Sequence, residues 1–190
     1  MKRTLLIPVL FSTAAAFAAE HMNVAVCNVG ELPARVIEHA EAEAADVFQS
    51  MGVEIQWTGC GAELDSEDAR TRPDFIIRVR VGGQVNTTGP TSLDTMGRAF
   101  MNADGAGHMV DVYYGAIKQL TALYPVVDSE QALGCTMVHE LGHLLIGAGH
   151  RPTGIMRAAW SEGELTAISR RRLKFNEAER AAILRKLRSR

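Results

Sequence analysis

Apolar and polar positions alternate with two different periods in the N-terminal part of the chain. Short apolar runs at 23–29 (NVAVCNV) and 53–57 (VEIQW) are typical of strands, whereas apolar residues recur at helical spacing over 32–52. A strand, a helix and a strand in this order predict a parallel pair of strands joined by a right-handed crossover. A third strand is predicted at 74–81 (DFIIRVRV).

The C-terminal part predicts a hairpin followed by helices. Two short β-type runs at 97–102 and 108–115 flank a turn-rich link, so we expect them to pair as a hairpin. Helices are predicted at 116–124 and 129–147, and a last helix begins at Asn176. The chain therefore predicts a sheet that contains both parallel and antiparallel strands, with helices packed on it.

The longer predicted helices carry signals at their ends. Ser129 or Asp128 is a candidate N-cap of the helix at 129–147, and Gly147 is placed to end it. Asn176 fits a capping box with Glu179. Three remaining segments are predicted to be loops or turns, namely 65–73, 82–95 and 157–165.

The first eighteen residues are predicted to be a signal peptide rather than part of the fold. A basic start at Lys2 and Arg3 precedes an apolar run, and Ala16 and Ala18 fit a small-residue cleavage site. The run is too short to span a membrane comfortably. We expect cleavage after Ala18, a single domain over 19–190, and a secreted or periplasmic protein without stable membrane association.

The charge of the mature chain argues against nucleic-acid binding. Loss of Lys2 and Arg3 leaves 18 basic against 22 acidic residues, a net charge of −4, whereas nucleic-acid-binding domains carry basic patches. Positive charge is concentrated at 157–190, where ten Lys and Arg accompany four Glu. A solvated basic helix or contact with an acidic surface would each explain this segment. The sequence does not indicate an oligomeric state.

The chain contains three cysteines, Cys27, Cys60 and Cys135. Export permits disulfides, and Cys27 and Cys60 both lie at ends of predicted strands, which makes them the expected pair. Cys135 lies one helical turn before His139 on an apolar stretch. We therefore expect Cys135 to be a free thiol in the core.

The strongest chemical signal is HELGH at 139–143. His139 and His143 are four residues apart on a predicted helix, so both imidazoles project from one face and can bind the same metal ion. Zinc accepts imidazole nitrogen, and a catalytic zinc ion keeps three protein ligands and one open position. Glu140 lies beside the first histidine, where a carboxylate can take a proton from water. We predict one zinc ion per chain, with Glu140 as general base.

A third ligand must come from beyond the helix. His150 follows Gly147 and Gly149, which allow the chain to reverse and return the imidazole to the metal. His150 is therefore the leading candidate, which gives a predicted ligand set of His139, His143 and His150.

The segment HELGHLLIGAGHRPTGIM at 139–156 resembles the motif of the zincin peptidases, and within them the metzincins, which carry HExxHxxGxxH and a methionine turn. The resemblance implies His139, His143 and His150 as zinc ligands, Glu140 as general base and Met156 as the methionine turn. With the predicted elements it implies an α+β, zincin-like fold: a mixed twisted sheet with an edge strand over an active-site helix, plus a C-terminal helix. His150 follows His143 by seven residues, one more than in the family, so the turn must be built differently.

Two features of this resemblance leave alternatives open. A second zincin branch, the gluzincins, takes its third ligand from a later glutamate, and Glu162 or Glu164 would then replace His150. The side chain that stabilises the oxyanion has three candidates: Arg157, Tyr113 and Tyr114.

The predicted function is that of a secreted zinc metalloendopeptidase that hydrolyses peptide bonds with a water activated by Glu140. Peptide or protein is the expected substrate, paired as an added strand with the hairpin at 97–114. One alternative is a zinc hydrolase that acts on a non-protein amide or a cell-wall peptide. Another is a non-catalytic module with a structural four-ligand zinc, although such a site does not need Glu140.

Overall fold

The structure is a computed structural model that describes residues 19–61, 72–82 and 95–190. The predicted signal peptide at 1–18 lies outside the described residues, as do most of the predicted loops at 65–73 and 82–95. Within the described part of the chain, no helix is both long enough and apolar enough to cross a membrane.

A five-stranded mixed sheet forms the centre of the fold. Its strands in chain order are β1 (Glu20–Asn28), β2 (Val53–Gly59), β3 (Phe75–Arg80), β4 (Gly97–Phe100) and β5 (Met109–Tyr113). Their spatial order is β2-β1-β3-β5-β4. β1 is parallel to β2 and β3, β3 is parallel to β5, and β4 is antiparallel to β5. The predicted parallel pair and the predicted hairpin are therefore confirmed.

Five helices accompany the sheet: α1 (Ala34–Gln49), α2 (Tyr114–Leu123), α3 (Ser129–Ile146), α4 (Glu162–Ser169) and α5 (Glu177–Arg188). The prediction of a turn at 157–165 is wrong in its second part, because α4 begins at Glu162. Ser161 and Glu164 form a capping box that satisfies backbone N–H groups in the first turn of α4. The predicted capping box of Asn176 and Glu179 at the start of α5 is confirmed.

The core lies between the sheet and the helices, and α3 crosses it. Alternate strand residues point to this face and are fully buried, such as Val24, Phe75, Ile77 and Val112. Fifteen of the eighteen residues of α3 are buried, so polar side chains of this helix are held in the core and need partners there. α3 approaches α1 closely at Gly134, where an added Cβ would lie 2.6 Å from a backbone oxygen of α1.

The cysteines have the predicted states. Val26 of β1 is paired with Gly59, the last residue of β2, so the residues that follow them, Cys27 and Cys60, lie side by side. They form a disulfide with their Cα atoms 4.7 Å apart. Cys135 is a free and buried cysteine on α3.

Candidate metal centre and cleft

α3 fixes the two motif histidines within the buried core. The helix is capped by Asp128, whose side chain accepts hydrogen bonds from the backbone N–H groups of Glu130 and Gln131. It ends before Gly147, which has φ of 96°, a conformation that glycine adopts without strain. Of the two candidate caps, Asp128 is therefore the one observed, and the predicted end at Gly147 is confirmed.

The hydrogen bonds of His139 and His143 fix which ring nitrogens are free. Nδ1 of His139 donates to the backbone oxygen of Ile155 at 2.7 Å, and Nδ1 of His143 donates to that of Gly147 at 3.1 Å. A backbone oxygen only accepts, so the proton of each neutral ring is on Nδ1 and the Nε2 lone pair is free. Burial lowers the pKa of His139 to about 4 and lowers the pKa of His143, which keeps both rings neutral.

His150 joins this pair from the loop after α3. Its ring centroid lies 5.4 Å from that of His139 and 4.8 Å from that of His143. One ring nitrogen from each of the three histidines lies within 4.8 Å of the others. His150 is exposed, whereas the other two are buried, so the group opens toward solvent on the His150 side.

The donor set fits zinc. Nε2 of His139 and Nε2 of His143 are 3.1 Å apart, and both carry lone pairs because the Nδ1 atoms hold the protons. Two facing lone pairs repel each other unless a cation lies between them. Two nitrogens bound tetrahedrally to zinc at about 2.0–2.1 Å would be roughly 3.3 Å apart, close to this spacing. The neutral state of both buried rings is also the state that a metal requires of histidine.

The glutamates that were alternative ligands lie elsewhere. Glu164 accepts hydrogen bonds from the backbone N–H and hydroxyl of Ser161, and its Oε2 lies 3.2 Å from Arg157. Glu162 is exposed at the start of α4. Among the described residues, the group of metal-binding side chains consists of the three histidines and includes neither glutamate.

Glu140 occupies a buried position between α3 and β4. Its side chain lies so close to Gly97 that an added Cβ there would be 2.6 Å from Cγ and from Oε1. Burial raises the pKa of Glu140 to about 8, and a hydrogen bond from the backbone N–H of Ala99 acts in the opposite direction. The carboxyl group is therefore held against the edge strand of the described sheet, next to His139.

The loop at 150–157 returns beneath the histidines. Met156 is fully buried, and an added Cβ on Gly142 would lie 2.5 Å from its Sδ atom, so the side chain packs directly against α3. Trp160 donates from Nε1 to the same Ile155 oxygen that accepts from His139, at 3.2 Å, and its ring meets the His139 ring edge to face. This shared oxygen couples the orientation of His139 to the loop.

A cavity of about 390 Å³ contains the three histidines and Glu140. Residues of β4 line the cavity, and so do Arg157 and Trp160. Apolar atoms dominate a further part of the wall, contributed by Met101, Ala116, Leu120 and Ala159. The cavity therefore combines a concentrated polar centre with an apolar surface, which is the usual composition of a ligand site.

The three oxyanion candidates do not share one location. Arg157 lines the cavity, whereas Tyr113 and Tyr114 are not among its lining residues. The Tyr114 hydroxyl is instead 3.2 Å from the hydroxyl of Ser129. Arg157 alone of the three is positioned to reach a bound molecule.

Sequence reasoning predicted the hairpin at 97–114 as the edge that pairs with a substrate, but it missed the contact of β4 with Glu140. Gly97, Arg98 and Ala99 line the cavity, and two of them, Gly97 and Ala99, contact Glu140 from a distant part of the sequence. The signal in the sequence was only a glycine at the start of a short β-type run, which does not indicate its partner. Trp160 is buried and also lines the cavity.

Comparisons with known proteins support the assignment of the fold. No protein-family model matches the sequence, and a comparison with curated proteins finds no match. The chain is similar to the crystal structure of archaemetzincin from Methanopyrus kandleri, with a TM-score of 0.52 and 16% identity over 91% of this chain and 99% of that chain. It is also similar to metalloproteinase-II from Bacteroides fragilis, with a TM-score of 0.55 and 16% identity over 92% of this chain and 55% of that chain.

These similarities define the class of fold. The mixed sheet, with β4 beside α3 and a helix at the C-terminal end, is a zincin-like fold of the metzincin kind, which confirms the predicted fold class. At 16% identity the similarity concerns the fold, so the chemistry must be argued from the site itself.

Proposed function

We propose that this protein is a zinc-dependent peptidase that hydrolyses peptide bonds with water. The observation that supports this most strongly is the convergence of three histidine nitrogens within 4.8 Å, beside a buried glutamate and an edge strand. His139, His143 and His150 would hold one zinc ion per chain. When bound, zinc supplies a positive charge that polarises a carbonyl group and makes water more acidic.

Glu140 is the proposed general base and general acid. Burial alone favours the neutral form of Glu140, whereas the positive charge of a bound zinc ion would favour its carboxylate form. That carboxylate accepts a proton from the water that attacks the carbonyl carbon of the substrate. As the C–N bond breaks, the same proton passes to the nitrogen of the leaving amine. Gly97 and Ala99 hold the carboxyl group in place, and Arg157 is the nearest candidate to stabilise the negative oxygen that develops.

β4 is the proposed platform for the substrate. Tyr113 donates its backbone N–H to the oxygen of Met96, and the antiparallel pattern then directs the backbone groups of Gly97 and Ala99 away from β5. These groups face the cavity that holds Glu140; the N–H of Ala99 donates to Glu140, and the remaining groups are the ones proposed to pair with a substrate. An extended peptide paired with β4 would therefore place its backbone beside the proposed general base.

Metal analysis combined with cleavage of a mixed peptide library tests this function. We expect Glu140→Gln to keep zinc while kcat falls by about 10²- to 10⁴-fold, the usual contribution of a general base. We expect His150→Ala to weaken zinc binding by more than the roughly 10- to 100-fold that loss of a supporting residue costs. Glu162→Gln is the matched control: this exposed acid should keep both zinc and activity.

Other outcomes would redirect the assignment. Zinc without cleavage of any peptide, but with turnover of small amides or cell-wall peptides, would favour a different zinc hydrolase. Zinc without any turnover would favour a binding module. Loss of zinc in Glu162→Gln with retention in His150→Ala would overturn the three-histidine ligand set.

We propose further that the protein is exported after cleavage of residues 1–18. The basic and apolar pattern of that segment supports this, and so does the Cys27–Cys60 disulfide, since disulfides persist in oxidising compartments. Mass spectrometry of the chain recovered from the periplasm or medium of its host should find Ala19 as the first residue. Recovery of the uncleaved chain from the cytoplasm would contradict the proposal.

A further inference from the structure

The outer face of the sheet, opposite the helices, carries a row of charged residues that ends at β4. Gly97 points toward α3, so its neighbour Arg98 points to the outer face. Arg98 is paired in register with Asp111 of β5, and Asp111 is paired with Arg78 of β3. Positive, negative and positive side chains therefore alternate across three adjacent strands.

Contacts show that these side chains form one cluster. Arg78 lies 2.5 Å and Arg80 lies 3.3 Å from the two carboxylate oxygens of Asp111. The guanidinium groups of Arg98 and Arg78 lie 5.3 Å and 5.5 Å from the centre of the Phe100 ring. The outer face near β4 thus includes three arginines, the carboxylate of Asp111 and the Phe100 ring.

Arg98 is the member of this cluster that lacks an acidic partner among the described residues. Asp111 is engaged by the two arginines of β3, and no described carboxylate lies within 4.0 Å of the Arg98 guanidinium. Arg98 is also exposed, and it lies on β4, the edge strand of the sheet that the described residues form. The row of alternating charges therefore ends with the positive side chain of Arg98, at the edge of the described sheet that lines the cavity.

A substrate strand on β4 would continue this row. Side chains directly opposite each other on adjacent strands point to the same face, so the substrate residue opposite Arg98 would share its face and lie next to it. Opposite charges in such pairs are stabilising and like charges are destabilising. The substrate residues on either side of that position would point toward α3 and the apolar wall of the cavity.

We propose that the peptidase selects peptides with an acidic side chain at the position paired with Arg98, close to the bond that is cleaved. This inference rests on the proposed peptidase function and adds a substrate class to it. The acidic residue completes the alternating row as a fourth charge. Arg98 is then a specificity-determining residue, separate from the residues proposed to bind zinc or transfer protons.

Cleavage profiling of the zinc-loaded enzyme with a mixed peptide library tests the proposal. We expect Asp and Glu to be enriched at one position near the cleaved bond. For matched peptides that differ only there, kcat/KM should be roughly two- to fivefold higher with Glu than with Gln, as for an exposed ion pair. The preference should shrink in high salt, because salt screens exposed charges.

Variants of Arg98 separate its charge from its bulk. Arg98→Gln should abolish the preference while peptides with Gln are still cleaved, and Arg98→Glu should reverse the preference toward Lys. Arg185→Glu is the control, because it makes the same change of charge at an exposed residue of α5 for which no ion pair is found within the described chain. Its cleavage profile should equal that of the wild type.

The outcomes distinguish this inference from the function on which it rests. Cleavage without an acidic preference, or an acidic preference that survives in Arg98→Glu, would overturn the role of Arg98 and leave the peptidase intact. Failure to cleave any peptide would overturn the peptidase and the inference together. An acidic preference that Arg98→Gln removes and Arg185→Glu retains would support it.

Discussion

Burial is the main influence on the titrating side chains of α3. It is the largest cause of the shifted pKa values of Cys135, His139, Glu140 and His143, and it favours the neutral form of each. The two histidines are thereby kept as neutral ligands, and Glu140 is kept away from bulk water. The same effect acts on Cys135, which has no part in the proposed chemistry, so burial can be tested there without disturbing the catalytic groups.

Cys135 leads to a prediction about pH and stability. Burial, with a smaller contribution from Glu43, raises the pKa of this thiol from 9.0 to about 12. The folded chain therefore keeps the proton at pH values where the unfolded chain loses it. The associated stability is present below about pH 9 and is lost as the pH rises toward about 12. We expect the free energy of unfolding to fall more steeply above about pH 9 in the wild type than in Cys135→Ala.

Urea denaturation of both proteins between about pH 8 and about pH 10 measures this difference. Other groups that titrate in the same range affect both proteins equally, so the difference in slope belongs to Cys135. Iodoacetamide should also modify the thiol only after unfolding, because the thiol is buried and protonated. Parallel pH curves, or rapid modification of the native protein, would contradict the prediction.

At the scale of elements, the close packing of β4 against α3 positions Glu140. Gly97 leaves no room for a side chain, since an added Cβ would lie 2.6 Å from two atoms of the Glu140 side chain. We expect Gly97→Ala to displace the carboxyl group and to lower kcat by about 100-fold or more, as loss of a general base does. Zinc content should be unchanged, because the three histidines are not displaced.

Steady-state kinetics and metal analysis of the purified variant check this expectation. Gly59→Ala is a matched control, since Gly59 is also a strand glycine and an added Cβ there meets no atom within 4 Å. That control should keep full activity. Full activity in Gly97→Ala would show that β4 does not constrain Glu140.

Features of these elements that depend on residues close together in the sequence could be predicted, whereas features that depend on distant segments could not. His139, Glu140 and His143 share one helix, so their spacing alone predicts their common face. Ser161 and Glu164 also fit a capping box, but α4 has only eight residues, and its two buried apolar positions, Leu165 and Ile168, are too few to distinguish a helix from a turn. The contact of Gly97 with Glu140 could not be predicted from local spacing, and neither could the register of Arg98 with Asp111. They depend on how distant segments align, and no local pattern specifies that alignment.

At the scale of the whole molecule, the disulfide and the cleft lie at opposite edges of the described sheet. The disulfide joins the ends of β1 and β2, whereas Glu140 contacts β4. The prediction of Cys27 and Cys60 as a pair succeeded because parallel neighbours bring the ends of their strands together. This separation means that the disulfide acts on stability and does not touch the groups proposed for catalysis.

Reduction of the disulfide should therefore lower stability more than activity. The bond closes a loop with a sequence separation of 33 residues, which contains α1, and its loss is expected to cost about 2–4 kcal/mol. For a domain of this size, that corresponds to a decrease in Tm of roughly 5–15 °C. Activity at a temperature well below both transitions should be retained, because β4 and α3 are unaffected.

Calorimetry of the wild type with and without reductant, and of the double variant Cys27→Ala and Cys60→Ala, measures this cost. The oxidised protein should titrate one thiol per chain after denaturation, and the reduced protein should titrate all three. Reductant should leave the Tm of the double variant unchanged, which excludes an effect of the reductant on the metal centre. If reduction instead abolished cleavage at low temperature, the two edges of the sheet would be coupled, and the placement of Glu140 would depend on the whole sheet rather than on β4 alone.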